Sequence, residues 1–367
     1  MTGYSFSSII LNQREIELAD ILNGRAIAQS VFETNILKFI QKWFEPTDEF
    51  SQRTSGSTGT PKVITISREQ MIASAKLTEK ALKLRAFDVA LICLDPEYIA
   101  GKMMLVRSFV TNMKIIAVTP SSNPFEGLES NYKIDFTALV PLQLNEVVHG
   151  NNSFWLDRVK KIIVGGAQVS EHLQKKLTPF SSEIFATYGM TETISHVALR
   201  RLNGPLQLDN FFTLPEITIS TDDRGCLVIQ VPFLPHTIRT NDLVKIQDSN
   251  HFKWLGRVDN VINSGGMKVI PEKIEREISK IIDALGQKSA VMVTGIPDDR
   301  LGSKVICLTE GAIDGITIEN ITMELSAVLS PYEIPKAFFT NKTFVFTDNG
   351  KLNRSLTKKQ FVKDLRL

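Results

Sequence analysis

Thr54-Ser55-Gly56-Ser57-Thr58-Gly59-Thr60-Pro61-Lys62 is the stretch from which the rest of this sequence can be interpreted. Its glycines and hydroxyl side chains favour a turn whose backbone N–H groups and hydroxyls converge on an anion. Lys62 adds a positive charge, and the apolar, β-branched residues 63–66 follow as a predicted strand. The spacing differs from that of the nucleoside triphosphatase P-loop, which ends in Gly-Lys-Ser/Thr. The stretch therefore predicts a polyphosphate-binding turn, with an ordinary Ser/Thr/Gly surface loop as the structural alternative.

The composition is typical of a soluble globular protein with two or three domains. The chain has 367 residues, 43% of them hydrophobic and 22% charged, which is too long for one ordinary core. Its formal net charge of +2 does not indicate binding to nucleic acid or to an anionic membrane. Three widely separated cysteines without metal-ligand spacing are typical of reduced thiols. With no secretory signal and no apolar run of membrane-spanning length, we expect a cytoplasmic protein without membrane insertion.

Apolar strands and helical segments alternate through the first half of the chain. Strands are predicted at residues 89–94, 114–119, 135–140, 160–164 and 183–187, and helices at 31–44, 68–84, 99–112, 142–149 and 170–177. The helix at 68 follows Ser67-Arg68-Glu69-Gln70, which has the form of a capping box. Such alternation favours a mainly parallel sheet covered on both faces, with ligands at the carboxyl ends of the strands.

From about residue 196 the pattern changes to antiparallel strands. These are predicted at 197–202, 216–220, 227–231, 237–246 and 252–255, with a hairpin turn at 222–225. We therefore predict a large α/β domain over residues 1–257, with a β-rich subdomain at about 196–257. A smaller α+β domain is predicted over 258–367, with helices from Pro271 and near 318–329 and strands at 290–294, 304–309 and 343–346.

Five local motifs stand in a fixed order. They are TSGSTGTPK at 54–62, GGA at 165–167, YGMTE at 188–192, RTND at 239–242 with GRVDN at 256–260, and NGK at 349–351. Together they resemble the motifs of the adenylate-forming superfamily of acyl- and aryl-CoA synthetases, adenylation domains and luciferases. The resemblance covers nearly the whole chain from residue 54, and it implies the adenylate-forming enzyme fold with a mobile C-terminal domain.

The resemblance implies an ATP site. The β- and γ-phosphates would be held by Thr54, Ser55, Gly56, Ser57, Thr58, Gly59 and Lys62. Adenosine would be bound by Tyr188 and Gly189, by the backbone of Gly165, Gly166 and Ala167, and at the ribose by Asp242 and Arg257. Thr191 would bind the α-phosphate, Glu192 would hold Mg²⁺ as a hard oxygen ligand, and Lys351 would neutralise the charge of the adenylation step.

Each of these residues also has an ordinary structural interpretation. Tyr188 could be a core aromatic, Glu192 a solvated turn residue, Asp242 a β-turn residue and Lys351 a hairpin lysine. It is the joint order of the motifs that favours the functional interpretation. A non-catalytic nucleotide-binding module is the alternative from another class, and the joint presence of these side chains with Lys62 argues against it.

The resemblance also implies a second step, in which the thiol of coenzyme A attacks the acyl-adenylate. The small domain would rotate between the steps about Asp259, which matches the hinge position. Ser264, Gly265 and Gly266 would then line the tunnel for the thiol. The small-molecule substrates are therefore expected to be a carboxylic acid, ATP and coenzyme A. The sequence leaves the oligomeric state open, a homo-oligomer included.

Within the superfamily the sequence is most similar to the o-succinylbenzoate–CoA ligases of menaquinone biosynthesis. Residues 188–195, 256–266 and 270–275 carry this similarity, together with Gly101 and Arg107-Ser108 on the helix expected beside the acyl pocket. The substrate's aromatic carboxylate must be held without being activated. Arg107 is the candidate for holding it, and Ser195 and Lys102 are further candidates. The structural alternative for Arg107 is a helix-surface arginine whose stem covers apolar neighbours.

The sequence departs from the family pattern at several places. Asn241 stands where glycine is usual, Asp348 where proline is usual, and Glu97-Tyr98 where an aromatic–histidine pair is usual. The segment before the phosphate turn is expected to be a shortened version of the family's N-terminal part. These departures leave open a ligase for another aryl or short acyl acid, or one that loads a carrier-protein thiol.

Overall fold

The computed structural model describes residues 6–53, 63–287, 289–340, 342–347 and 352–364. The phosphate turn predicted at 54–62 and the candidate catalytic residue Lys351 lie outside these residues. The chain divides into two compact units, Met1–Thr218 with Ile229–Ile238, and Ile219–Val228 with Arg239–Leu367. The second unit thus includes strands that we assign above to the N-terminal domain, and the domain boundary near residue 257 stays a prediction.

In the first unit, helices and strands alternate along the chain. Its elements up to residue 111 are β1 Ser8–Leu11, β2 Arg14–Glu17, α1 Leu18–Leu22, α2 Val31–Phe44, β3 Glu49–Arg53, β4 Val63–Ser67, α3 Arg68–Leu82, β5 Val89–Ile92 and α4 Ile99–Thr111. The later ones are β6 Lys114–Ala117, β7 Phe136–Leu139, α5 Pro141–His149, α6 Trp155–Arg158, β8 Lys161–Val164, α7 Glu171–Lys176, β9 Glu183–Gly189, β10 His196–Arg201 and β11 Phe211–Thr213. The predicted capping box is confirmed, since Ser67 and Gln70 each bond the other's backbone N–H at the start of α3.

The sheet of the first unit is parallel in its centre and antiparallel at its ends. Its strand order is β11-β10-β9-β8-β7-β5-β6-β1-β2. Every neighbouring pair from β9 to β1 is parallel, whereas β10, β11 and β2 pair antiparallel. Parallel neighbours require crossover connections, which explains why helices separate these strands in the sequence. A buried cluster that includes Leu91, Ile162 and Ile184 forms the core beneath them.

Strands β3 and β4 form a small sheet of their own. They pair antiparallel, with Arg53 opposite Val63 at the open end. The predicted phosphate turn therefore connects two paired strands, and the strand predicted after Lys62 is confirmed as β4. This pairing places Arg53 and Val63, the residues on either side of the predicted turn, opposite each other.

The second unit contains a strand group followed by an α+β part. Its elements are β12 Thr218–Thr221, β13 Cys226–Gln230, β14 Ile238–Ile246, β15 His251–Arg257, β16 Ile262–Ser264, β17 Met267–Val269, α8 Pro271–Ala284, β18 Val291–Asp298, β19 Gly302–Thr309, α9 Gly315–Val328, β20 Phe338–Phe339 and α10 Arg354–Asp364. The hairpin turn predicted at 222–225 is confirmed. Gly225 has φ +77° there, and its N–H donates to Asp222 O at 2.9 Å.

The strand predicted at residues 343–346 is wrong. Strand β19 pairs instead with β20, in parallel, through Cys307 and Phe338. Residue Phe346 forms an isolated bridge with Leu352, and Phe344 is buried in a core cluster. The apolar run is therefore explained by packing, and the place beside β19 is taken by another segment.

No helix in the described part of the chain is long and apolar enough to cross a membrane.

Gly101 allows α4 to approach the preceding loop closely. A Cβ atom at this position would lie 2.3 Å from Leu94 O and 2.4 Å from Asp95 O. We expect Gly101→Ala to destabilise the first unit by about 1–3 kcal/mol, because backbone atoms would have to move. Urea unfolding followed by the fluorescence of buried Trp43 and Trp155 measures this loss. Gly315→Ala, in the second unit, is the control, since no atom lies within 4 Å of its Cβ position. It should leave the unfolding of the first unit unchanged, and an equal loss there would contradict the explanation.

Candidate active site

Two of the predicted nucleotide-binding motifs lie at one edge of the first unit's sheet. Strand β8 ends at Val164, which pairs in parallel with Ala186 of β9. Gly165–Ala167 follow β8 directly, while β9 continues through Tyr188 to Gly189. Because the carboxyl ends of parallel strands share an edge, the structure brings the two motifs together where ligands collect in such sheets.

At this edge the backbone is accessible because several positions are glycines. A Cβ atom at Gly165 would lie 2.6 Å from Thr187 Oγ1, and Gly166 has φ +89°. Gly189 is equally restricted, since its Cβ atom would lie 2.4 Å from Ser195 O on the neighbouring strand. The half-buried Tyr188 ring lies 5.7 Å from the Phe211 ring. The edge thus offers a polypeptide surface and an aromatic ring, which suits a flat heterocycle.

The residues after β9 form a one-turn 3₁₀-helix, Thr191–Thr193, which presents Glu192 to solvent. In the described ranges, no group of three or more His, Cys, Asp or Glu residues could hold a metal ion by itself. Magnesium in nucleotide enzymes usually takes one or two carboxylates and completes its shell with phosphate oxygens and water. A single exposed carboxylate beside this edge of the sheet fits that requirement, and Glu192 would be this ligand.

A buried arginine lies beside the same turn. The Arg107 side chain is fully buried, with 2% of the residue exposed. Its Nη2 donates to Ser195 Oγ at 2.5 Å and approaches His196 Nδ1 at 3.3 Å, and its Nε donates to Thr78 Oγ1 at 3.2 Å. The structure therefore brings together Arg107 and Ser195, two of the three candidates for substrate binding.

Arg107 has no counter-charge in the part of the chain that the structure describes. Its contacts there are two hydroxyls and an imidazole, and no carboxylate lies within ion-pair distance. Burial alone lowers the pKa of the guanidinium to about 9, since removal from water disfavours the charged form. A buried charge without a partner is costly, so the arrangement is unusual for a purely structural arginine and typical of an anion site.

His196 and Thr78 hold the arginine in place, and sequence reasoning missed both. His196 Nε2 lies 3.1 Å from Thr78 Oγ1, so the contacts are satisfied when Nε2 carries the proton and Nδ1 accepts from Arg107. Burial and then the charge of Arg107 lower the pKa of His196 well below its usual range, which keeps the ring neutral. Thr78 lies on α3 and His196 on β10, and no local pattern links residues so far apart.

The turn that carries Ser195 has a strained backbone. Ile194 has φ +68°, which is a rare conformation for a β-branched residue. Thr193 Oγ1 accepts from Met190 N at 2.9 Å and lies 2.8 Å from Ser195 O, which holds the turn closed. Strain of this kind costs about 1–3 kcal/mol and persists where the surroundings enforce it. Here it directs Ser195 towards Arg107.

Lys102 lies on the same helix as Arg107 but contacts a different region. Its Nζ donates to Gln52 Oε1 at 2.7 Å and to Ser51 O at 3.3 Å, on strand β3. Five residues along a helix separate two side chains by about 140°, which explains the difference. Burial first, and then the charge of Lys42, lowers the pKa of Lys102 to about 8. The structure thus places Lys102 beside the strand that precedes the predicted phosphate turn, away from Ser195.

In the second unit, the residues predicted for the ribose and the hinge form one polar network. Asp242 and Arg257 are paired in register on β14 and β15. Their side chains approach to 3.6 Å, and Trp254 Nε1 donates to Asp242 at 3.1 Å. Arg257 also donates to Asp259 at 2.8 Å, and Asn241 Nδ2 donates to the same carboxylate at 3.1 Å. Asn241, which stands where glycine is usual in the family, therefore contacts the candidate hinge residue Asp259.

The predicted thiol-tunnel residues form a tight hairpin between β16 and β17. Gly265 and Gly266 have φ +60° and +82°, which is the requirement of a two-residue turn with both centres in the left-handed region. Ser264 is 1% exposed, so its side chain lies inside the unit. Gly265 also passes close to Tyr332, whose ring would lie 2.9 Å from a Cβ atom.

The fold and these motifs agree with what comparison with known proteins shows. Residues 32–218 match the family model described as AMP-binding enzyme, and the chain belongs to this family. Its structure has the adenylate-forming enzyme fold, with a large mixed sheet and a smaller C-terminal sheet domain. Membership supports the coarse class of AMP-forming acid–CoA ligases.

Two curated relatives are each 25% identical to this chain over the aligned region. The 2-succinylbenzoate–CoA ligase of Staphylococcus epidermidis is 25% identical over 333 residues, which cover 84% of this chain and 69% of the relative. The 3,4-dihydroxybenzoate–[aryl-carrier protein] ligase of Bacillus anthracis is 25% identical over 311 residues, covering 83% and 72%. The chain is thus similar to ligases with different acids and different acceptors.

Two solved structures have a similar fold. An acyl-CoA synthetase (AMP-forming)/AMP-acid ligase II-like protein from Dyadobacter fermentans is 38% identical, with a TM-score of 0.63, over 92% of this chain and 97% of that one. The o-succinylbenzoate coenzyme A synthetase of Bacillus subtilis, in complex with ATP and magnesium ion, is 19% identical with a TM-score of 0.69, over 84% and 69%. The second similarity concerns the fold alone.

The neutral state of His196 should make stability depend on pH. Below its usual pKa of about 6.5, the unfolded chain binds a proton at this ring while the folded chain does not, so stability falls as the pH falls. We expect the free energy of unfolding of His196→Gln to change less steeply between pH 6.5 and 5, by up to about 1.4 kcal/mol per pH unit. Urea titrations across this range measure the slopes. His149→Gln, at an exposed histidine, should keep the original slope, and equal slopes for all three proteins would contradict the assignment.

Proposed function

We propose that this chain is an ATP-dependent, AMP-forming ligase that joins o-succinylbenzoate to coenzyme A, a thioester used in menaquinone biosynthesis. Family membership supports the reaction class, and the relative from Staphylococcus epidermidis supports the acid. The observation that carries the choice of acid is the buried Arg107 without a counter-charge, beside the Ser195 hydroxyl.

Arg107 and Ser195 retain donors for a further ligand. The Nη1 atom of Arg107 carries two N–H groups and has no hydrogen-bond partner among the residues that the structure describes. Ser195 Oγ accepts from Nη2, so its own O–H can donate elsewhere. A planar carboxylate accepts well from such convergent donors, and its charge would offset that of the guanidinium.

o-Succinylbenzoate has two carboxylates, and the proposed site distinguishes them. Arg107 would hold the aromatic carboxylate with both oxygens engaged, so that this group is unable to act as a nucleophile. The succinyl carboxylate would then face the α-phosphate of ATP. Holding one end of the acid also lowers the entropic cost of aligning the other end for attack.

In the first step, an oxygen of the succinyl carboxylate attacks the α-phosphorus, and the bond to the pyrophosphate oxygen breaks. Thr191 would bind the α-phosphate, and the turn at 54–62 with Lys62 would bind the departing pyrophosphate. Glu192 would hold magnesium, which would supply positive charge to the phosphate oxygens. Lys351 would stabilise the charge that accumulates between carboxylate and phosphate.

In the second step, the sulfur of coenzyme A attacks the carbonyl carbon of the acyl-adenylate. The carbon–oxygen bond to AMP breaks, AMP leaves, and the thiol proton passes to solvent. Asp259 is proposed as the hinge that allows the second step, with Ser264, Gly265 and Gly266 along the path of the thiol. Asp242 and Arg257 would bind the ribose of the AMP moiety.

Acid-dependent exchange of pyrophosphate into ATP tests the first step directly. A panel should contain o-succinylbenzoate, 3,4-dihydroxybenzoate, benzoate, succinate and a fatty acid, each followed by thioester detection with coenzyme A. We expect o-succinylbenzoate to give the highest kcat/KM. A panel without preference for it would contradict the proposed substrate, and no exchange with any acid would contradict the proposed reaction.

A second acceptor is favoured by one finding, the relative from Bacillus anthracis that is named as a carrier-protein ligase. The acceptor would then be the thiol of a carrier protein's phosphopantetheine arm. Coenzyme A, pantetheine and a loaded aryl-carrier protein can be compared with one acyl-adenylate. Faster transfer to the carrier protein would favour this alternative.

Arg107 should determine the preference for an acid with a second carboxylate. 4-Oxo-4-phenylbutanoate is the matched substrate, because it is o-succinylbenzoate without the aromatic carboxylate. We expect the unchanged protein to prefer o-succinylbenzoate by about 100-fold in kcat/KM, as is common for a buried charge pair. Arg107→Gln should reduce this preference to a few-fold, mainly by raising KM for o-succinylbenzoate.

Arg85→Gln is the control variant for this measurement, since Arg85 is exposed on the same unit, and its preference should be unchanged. An equal loss of kcat/KM for both acids in Arg107→Gln would show that the arginine supports the fold and does not bind the aromatic carboxylate.

A further inference from the structure

The donors on one side of the Arg107 guanidinium are all satisfied by uncharged acceptors. Its Nη2 atom carries two N–H groups, which bond Ser195 Oγ and His196 Nδ1, and the single Nε N–H bonds Thr78 Oγ1. These four residues belong to the first unit. The two N–H groups of Nη1 have no acceptor among the residues that the structure describes. The contacts therefore fix the guanidinium and leave both its charge and one end unused.

The proton positions in this cluster follow from the hydrogen bonds of Thr78. A hydroxyl has one proton and two lone pairs. The Thr78 proton goes to Ser74 O at 3.3 Å, one turn earlier in α3, so its oxygen accepts from Arg107 Nε and His196 Nε2. Because an arginine only donates, His196 Nδ1 is the acceptor for Nη2. The imidazole is therefore neutral and carries its proton on Nε2.

The backbone of β10 holds the His196 ring in this place. The register of β10 against β9 shifts between His196 and Ala198, which pair with Gly189 and Tyr188. Such a bulge redirects a neighbouring side chain and is frequent beside active sites. A Cβ atom at Gly189 would lie 2.5 Å from His196 Cα, so the glycine allows the two strands to come this close. The ring is directed inward, and 7% of the residue is exposed.

We infer that His196 is a positioning residue that determines the acid specificity of the Arg107 site. As a neutral acceptor, it fixes the guanidinium through Nη2 and leaves the positive charge for the acid. A carboxylate in its place would fix the guanidinium equally well but would cancel that charge. Thr78 supports the same arrangement from α3. This inference rests on the proposed function, in which Arg107 binds the aromatic carboxylate of o-succinylbenzoate.

The absence of charge on the His196 ring matters because Arg107 is removed from water. Charges interact strongly where little water screens them, so an unpaired guanidinium attracts an incoming carboxylate. A guanidinium that already has an internal partner offers much less, and its partner would repel the acid. Burial, and then the charge of Arg107 itself, lowers the pKa of His196 well below its usual range. The arginine thus keeps its neighbour uncharged.

His196→Asp and His196→Asn are the matched test variants. Each places a side-chain oxygen at about the position of Nδ1, and the two differ by one negative charge. The measured quantity is the ratio of kcat/KM for o-succinylbenzoate to that for 4-oxo-4-phenylbutanoate, which lacks the aromatic carboxylate. From about 100-fold in the unchanged protein, we expect about 30-fold in His196→Asn, which loses only the contact with Thr78. His196→Asp should fall to a few-fold, through a higher KM for o-succinylbenzoate.

Urea unfolding distinguishes this result from damage to the fold. His196→Asp provides a counter-charge for the buried guanidinium, so it should unfold at the same urea concentration as His196→Asn or at a higher one. Loss of the preference would then accompany unchanged or greater stability. A merely structural role of His196 predicts the opposite, in which preference and stability are lost together.

Thr78 is tested by removing its hydroxyl. Thr78→Val should reduce the preference about tenfold, because Arg107 Nε and His196 Nε2 lose their shared acceptor, and Thr78→Ser should restore it. Thr111→Val is the control at another buried threonine of the first unit. Its hydroxyl donates to Glu79 Oε2 at 3.3 Å, outside the arginine cluster, and the preference should stay unchanged.

The inference is overturned if His196→Asp and His196→Asn have the same preference, since the charge beside the arginine would then be irrelevant. Lower stability of His196→Asp than of His196→Asn also overturns it, because the carboxylate would not be paired with the guanidinium. Arg107→Gln separates this from the proposed function. If that variant keeps the preference, the proposed role of Arg107 is wrong, and the inference with it. If it loses the preference while His196→Asp keeps it, only the inference is overturned.

Discussion

The parallel pairing of β8 with β9 is the constraint on which the candidate site depends. It places Gly165 beside Thr187 and brings the residues after both strands to one edge. Antiparallel pairing would have put these motifs at opposite ends of the sheet. The return strand β10 then runs back along β9, and the tight connection between them delivers Ser195 and His196 to Arg107. One register thus determines both the edge proposed to bind the nucleotide and the cluster proposed to bind the acid.

The alternating helices and strands can be predicted from the sequence because hydrophobic periodicity depends only on residues that are near one another in the chain. Strand β8 and helix α2 are recovered nearly to the residue, and the capping box locates the start of α3. Pairing is not local, and there the predictions fail. Residues 343–346 have the composition of a strand, yet β19 pairs with Phe338–Phe339. The partners of Arg107 are equally non-local, since Thr78 and His196 are 118 residues apart.

The candidate acid site depends on polar groups that are expensive to bury. A guanidinium, an imidazole and a threonine hydroxyl satisfy one another inside the first unit, and a strained residue, Ile194, holds the serine next to them. Folding alone gives no reason to keep such a set, because apolar side chains of similar size stabilise a core as well or better. The free-energy cost of burying these polar groups is consistent with a role in ligand recognition.

Under the proposed role of Arg107, the buried guanidinium would also exclude unsuitable acids. A hydrocarbon acid that filled the same space would lie against the Arg107 guanidinium and offer no charge in return. Such an acid would be rejected by the penalty it creates, even where its shape fits. Smaller side chains around Arg107 would leave this penalty in place. A change of preference towards acids without a second carboxylate would therefore require a substitution at residue 107, or a counter-charge beside it, before any other change in the residues around it.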